Sequence, residues 1–173
     1  MYTIIACGYF VLQDLQCRVL YIKLAALTKE TALSTLPLAQ ARALIDGALA
    51  AARQHGFKPM GVVVVDAAAQ VVASVREDGA TALRLDIALG KAAAAVGMGV
   101  NSRTLTQRAK DLPAFFNAVA SSSQQKFIAQ TGAVLVTDAA GRVIGAAGAS
   151  GGTGDEDEQI VIAGIAAAGL GHA

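Results

Sequence analysis

Three groups of residues have types and spacing that suit chemistry. The first is Gly148-Ala149-Ser150-Gly151-Gly152-Thr153, followed after Gly154 by Asp155-Glu156-Asp157-Glu158. Glycines let a backbone pass close to a ligand, but also close to a neighbouring strand, so packing explains them as readily as binding. Four carboxylates in the first helical turns repel phosphate, which argues against a nucleotide cradle. The carboxylates read most simply as complementing a helix dipole. Hard-cation binding is the alternative, although Asp157 and Glu158 point in different directions on a helix and do not easily share a site. Ser150 has no histidine placed by sequence to activate it, and no nucleophile elbow, Walker loop or dinucleotide fingerprint is present. No metal site is expected.

The second group is the histidines, His55 and His172. His172 lies in the chain's last residues and reads as inert. His55 sits where a helix ends, a position that favours its protonated form, and it reads as a surface cap. An exposed neutral imidazole is also the usual haem ligand. The third group is Arg76, Asp78 and Lys91, charges near a strand end and on the following helix. They either pair with one another or line a pocket that receives a carboxylate.

Composition narrows the function classes. The chain has 173 residues, 54% hydrophobic and 16% charged, with a formal net charge of +1. Such a length buries one globular core. With 5% aromatics and no Trp, small aliphatic side chains must build that core, and their limited buried area favours association of subunits. The charge balance and the lack of a basic stripe give no footprint for nucleic acid. Cys7 and Cys17 have no metal-ligand spacing and read as reduced small hydrophobes, a disulfide being the alternative. Met1 to Leu27 is apolar at first, then interrupted by Asp14, Arg18 and Lys23. It is too short and too charged for a membrane span, and it lacks the basic start of a signal peptide. The reading is cytoplasmic, with secretion as the minority alternative. Residues 1–34 are an extension, either an extra strand or an over-extended start, and 35–173 the domain.

The elements that position these groups follow from periodicity. Pro37 to His55 reads as a helix, with Ser34 or Thr35 as cap, Pro37 at the first turn and Gly56 as terminator. Met60–Val65 and Val71–Arg76 read as a hairpin about Asp66, and Ala133–Asp138 with Arg142–Ala149 as a second. Asp66-Ala67-Ala68 matches Asp138-Ala139-Ala140, which shared turn physics explains, since aspartate bonds its own backbone; duplication is the alternative. Thr81 to Met98 reads as a helix with Leu83, Ile87, Ala88, Ala92, Ala95 and Val96 inward. Asn101 to Lys110 reads as a short helix broken at Asp111-Leu112-Pro113, and Ser121-Ser122-Ser123 as a loop flanked by Phe115, Phe116 and Phe127. The last helix starts at Thr153, capped with Glu156, and buries Ile160, Ile162, Ala163 and Ile165 to Ala167. This order specifies a single-domain α+β fold with an antiparallel sheet flanked by helices.

With these motifs in place, the chain resembles the GlcG/HbpS family, also called the haem-degrading domain family, which includes the C-terminal domain of PduO-type proteins. The residues that carry the likeness are Asp66, Arg76-Glu77-Asp78-Gly79-Ala80, Ile87 to Ala92, Val143-Ile144-Gly145, Gly148 to Thr153 and Asp157-Glu158. It covers about Leu36 to Leu170. The resemblance implies a profilin-like fold, assembly as a homo-oligomer from dimer to octamer, and haem as cofactor with His55 as the axial-ligand candidate. Many members carry Gly-Gly-x-Pro before the last hairpin. Here Ser121 to Gly132 reads otherwise, in a loop expected to line the pocket.

The leading expectation is an oligomeric haem- or tetrapyrrole-binding accessory protein, in haem or iron handling, with no nucleic-acid or membrane partner. The alternative is a binding protein or enzyme for a small carboxylate in a catabolic operon of the glycolate or propanediol type. Arg76 and Lys91 would hold the anion there, Asp78 would stand beside them, and the Gly148–Thr153 loop would close on it. A purely structural oligomer subunit is the third reading.

Overall fold

The computed structural model describes residues 36–123 and 126–173. In it the chain runs α1 (Leu38–Gln54), β1 (Gly61–Asp66), β2 (Val71–Arg76), α2 (Arg84–Met98), α3 (Ser102–Asp111), α4 (Pro113–Ser122), β3 (Ala133–Thr137), β4 (Val143–Ser150), α5 (Gly154–Ala167) and the short β5 (Gly171–His172). The five strands form one antiparallel sheet in the order β2-β1-β4-β3-β5. The α+β class expected from the element order is the class observed. The readings of residues 1–34, and of Ser34 and Thr35 as caps, lie outside the described residues.

Successive side chains on a strand point to opposite faces, and β1 is apolar at every position but its last. Val62 and Val64 therefore join α1 and α5 in one core layer, with Leu44, Ile45, Val134, Val136, Ile160 and Ile165. Val63 and Val65 join α2 on the other face, with Ala88, Ala92, Ala95 and Leu135. A central strand buried on both faces needs this continuous run rather than alternation. A smaller third cluster gathers Ala94, Leu105 and Phe116, with Phe127 packed against it.

Several boundaries differ from expectation. Pro37 is the N-cap of α1 with extended backbone, and no side chain caps it. α2 begins at Arg84 because Thr81 to Leu83 form a turn; Thr81 contributes its carbonyl to Arg84 N, and Leu83 is exposed. Ser121 and Ser122 close α4 with their hydroxyls on Asn117 O and Val119 O, so that stretch is helix rather than loop. In α5, Val161 and Gly164 are buried while Ile162 and Ala166 face out, a shift in facing set by the packing of α5 against α1.

The two hairpin turns are built alike. Asp66 Oδ1 accepts from Ala68 N and Gln70 N, both at 2.9 Å; Asp138 Oδ1 accepts from Ala140 N at 2.9 Å and Arg142 N at 3.0 Å. Each hairpin also shifts register beside its aspartate. The likeness stops at the hairpin: the first strand of one, β1, pairs in the sheet with the second strand of the other, β4. One residue distinguishes the turns. Gly141 has φ +77°, whereas the corresponding Ala69 is held at φ +59°, where a Cβ is disfavoured. Ala69→Gly is expected to stabilise the fold by about 0.5–1 kcal/mol, and Gly141→Ala to destabilise it by about as much. Thermal melts read this as opposite shifts of about 2–4 °C.

Candidate functional site

The Gly148–Thr153 segment joins β4 to α5, and its glycines serve close approach. None of Gly148, Gly151 and Gly152 is among the glycines with positive φ, so close approach rather than backbone conformation is what requires glycine there. A side chain at Gly148 would strike Ala88 O of α2, and one at Gly151 would sit 2.7 Å from Pro59 O. α5 then starts with a reciprocal cap. Thr153 N donates to Glu156 Oε2 at 2.7 Å, and Glu156 N donates to Thr153 Oγ1 at 3.3 Å. The amides that a free helix N-terminus would offer to an anion are thus partly satisfied from within.

Beneath this loop lies a buried ion pair. Lys91 Nζ stands 2.7 Å from Asp157 Oδ2, and both side chains are 2% exposed. Lys91 Nζ also donates to Ala149 O at 3.1 Å, and Gly152 N donates to Asp157 Oδ1 at 3.0 Å. One lysine and one aspartate therefore bind α2, the end of β4, the glycine loop and α5 to one another. Gly132, at φ +125°, closes over them: a Cβ there would lie 2.7 Å from Lys91 Nζ. The remaining acidic residues of the run are also engaged. Asp155 and Glu158 both pair with Arg103 of α3, and these bonds, Glu158 first, hold the Arg103 guanidinium above its usual range. Among the described residues no three His, Cys, Asp or Glu side chains converge as a metal site.

An open cleft of about 460 Å³ forms where the glycine loop meets the chain leaving α1. Gly56, Phe57 and Lys58 line one side, Gly151, Gly152, Thr153 and Glu156 another, and Arg84 from the start of α2 completes it. His55 stands beside it. Its ring stacks on Phe57 at 5.2 Å, and its Nε2 is 3.1 Å from the Gln159 amide, one turn along α5 from Glu156. The turn that carries these residues is pinned from outside. Arg53 pairs with Glu77 and donates to Lys58 O, while Glu77 accepts from Met60 N at 2.7 Å. Ser150 is buried at the end of β4, with Arg84 Nη1 3.4 Å from its Oγ.

Of the residues singled out from sequence, the fold brings His55, Ser150, Gly151, Gly152 and Thr153 to one place. Gly148 lies inside the sheet, packed on α2. Arg76, Asp78 and Lys91 do not line the cleft: Arg76 donates to Ala80 O, Asp78 is exposed in the turn after β2, and Lys91 is enclosed with Asp157. The reading of Asp157 as part of a solvated helix start is corrected with it. Residues 126–132, after α4, do not line this cleft either; Ile128 packs against Gly90 of α2. Sequence reasoning missed Phe57, Lys58, Arg84 and Gln159, which no local pattern marks. The Lys91 partnership did leave a signal. A lone lysine between Gly90 and four alanines has no solvated face to occupy, so it demands a buried acid.

A family model described as haem-degrading protein, HbpS-like, matches residues 36–166. Among solved structures, a PduOC:heme complex is 27% identical, with TM-score 0.70 over 79% of this chain and 97% of that one. HbpS of Streptomyces reticuli, solved as a double mutant, is 28% identical, with TM-score 0.66 over 76% of this chain and 86% of that one. Protein ORFY of Klebsiella pneumoniae, 24% identical with TM-score 0.70 over 78% of this chain and 90% of that one, shows the same fold. No curated protein matches the chain.

Removing one partner of a buried ion pair strands the other, whereas replacing both with apolar groups does not. Lys91→Met is expected to cost about 3–5 kcal/mol in urea unfolding, and Lys91→Met/Asp157→Leu to recover most of that loss. A double variant no more stable than the single one would show that the pair is not coupled as the contacts indicate.

Proposed function

The chain belongs to the HbpS-like haem-degrading family, and we propose that it binds haem or a related tetrapyrrole beside α1, with His55 as the axial ligand. The observation that carries this reading is the exposed imidazole of His55, stacked on Phe57, a residue that lines the cleft. Among the described residues its Nε2 meets only a neutral amide, Gln159, so a metal competes with one ordinary hydrogen bond rather than with a charge. The PduOC:heme complex, whose fold this chain shares, supports the ligand class.

The donor set fits haem as an open surface site. One imidazole supplies a ligand, and Phe57 an aromatic surface. The cleft's other walls are polar or glycine, so a single copy does not wrap a macrocycle in the apolar walls usual for such pockets. Bound haem would supply redox and oxygen chemistry of its own. The chain would position it through the His55 turn, which Arg53 and Glu77 hold. Association of copies belongs to the same proposal. It is supported by the edge position of β2 and by the exposed Val71, Val75 and Leu38 around it. The small-carboxylate reading that relied on Arg76 and Lys91 gains nothing from the geometry, since Lys91 is enclosed.

Hemin titrated into the protein is expected to give a shifted Soret band that His55→Ala abolishes. The same band in the variant would sink the ligand assignment. Gln159→Leu releases the competing bond and is expected to tighten hemin binding by about 2–10-fold. Weakening on that substitution would mean that Gln159 orients the imidazole rather than competing for it.

A further inference from the structure

We infer that Lys58 and Arg84 form the charge-selective part of the cleft and receive the ionised carboxylate groups of its ligand. On the tetrapyrrole reading, on which this rests, the cleft selects macrocycles that carry carboxylate side chains over neutral ones. Arg84 carries the argument. It is half-buried at the first turn of α2, its Cβ packed against Gly61, and yet no carboxylate pairs with it among the described residues. Its only side-chain hydrogen bond there is a long one, 3.4 Å to Ser150 Oγ. Removing a guanidinium from part of its water without a counter-charge is costly, and a bidentate carboxylate restores what is lost. Lys58 lines the same cleft from the other side, exposed, with no side-chain ion pair among the described residues.

The surroundings sharpen the choice of anion. Glu156 also lines the cleft, but its Oε2 is engaged with Thr153 N at 2.7 Å, and its charge lies at the α5 N-terminus. That terminus is capped from within at Thr153 N and Glu156 N, and the two cations are the positively charged groups that the cleft offers an anion. A guanidinium fork and an ammonium meet a carboxylate with paired hydrogen bonds and a point charge. His55 is stacked on Phe57, which lines the cleft together with Lys58 and Arg84.

The test compares hemin with its dimethyl ester, which has the same macrocycle and iron but no carboxylates. Both are titrated by Soret absorbance at low ionic strength in the same dilute detergent, with wild type, Lys58→Gln/Arg84→Gln and the charge-retaining Lys58→Arg/Arg84→Lys. Wild type is expected to bind hemin about tenfold tighter than the ester, a gap that narrows with added salt. The glutamine variant should lose the gap while still binding the ester, and the charge-retaining variant should keep part of it. Equal affinity of wild type for both ligands, or a gap that survives in the glutamine variant, overturns the inference and leaves the His55 assignment standing. Failure of wild type to bind either ligand overturns the tetrapyrrole reading, and this inference with it. Displacement of hemin by succinate at constant ionic strength assigns the cations to a small organic acid and overturns the macrocycle selection. Loss of both ligands in the glutamine variant alone gives the residues a structural role and overturns it too.

Discussion

The buried contact between Lys91 and Asp157 is the constraint around which the rest of the structure is arranged. Two full charges removed from water are tolerable only when they face each other and when their remaining hydrogen-bonding capacity is met. Lys91 has Asp157 and Ala149 O; Asp157 has Lys91 and the amide of Gly152. Meeting those needs requires α2 to cross β4 closely, and this explains why Gly148 lies under Ala88 and why Gly132 can have no side chain. It also fixes the start of α5 against the sheet. A hydrophobic pair of similar volume would stabilise the fold about as well, but it would not hold the Gly152 amide or the β4 carbonyl. We read the pair as a positioning device for the glycine loop rather than as a source of stability.

That positioning has a functional consequence. The cleft beside His55 is assembled from parts distant in sequence: the turn after α1, the start of α2 and the loop into α5. Each part is fixed by a different interaction. The Arg53–Glu77 pair fixes the turn, the contact of Arg84 with Gly61 fixes the α2 start, and the buried ion pair fixes the loop. The edges of the cleft are thus each tied to a different part of the fold. Such an arrangement suits a ligand that rests on the surface and is held by a few directed contacts. The chain belongs to the HbpS-like family, and one solved relative that shares its fold is a heme complex.

Much of the fold was legible along the chain because its signals are local. The apolar run of β1, the aspartate turns at Asp66 and Asp138, the helical spacing of Leu44, Ile45 and Ala48, and the Thr153–Glu156 cap each follow from interactions between near neighbours. The errors cluster where tertiary packing chose between local options. Ile162 faces out and Val161 in because α5 is oriented by α1, and Ser121 and Ser122 complete a helix that their composition alone does not favour. The site was legible only in part. His55 and the glycine loop were visible as isolated features, whereas Phe57, Lys58, Arg84 and Gln159 have ordinary local contexts and become a site only through their mutual placement.

The sequence by itself determined the antiparallel α+β architecture, the capped start of the last helix and the family resemblance, because period, turn chemistry and capping act within a few residues. Tertiary structure alone decided which charges are spent inside and which remain outside. Lys91 looked like a candidate anion ligand until the fold enclosed it with Asp157, and Arg84 looked like an ordinary helix residue until the fold left it beside a cleft with no carboxylate partner among the described residues. The reason is that the fate of a charge depends on burial and on the nearest opposite charge, and both are set by elements far apart in the chain.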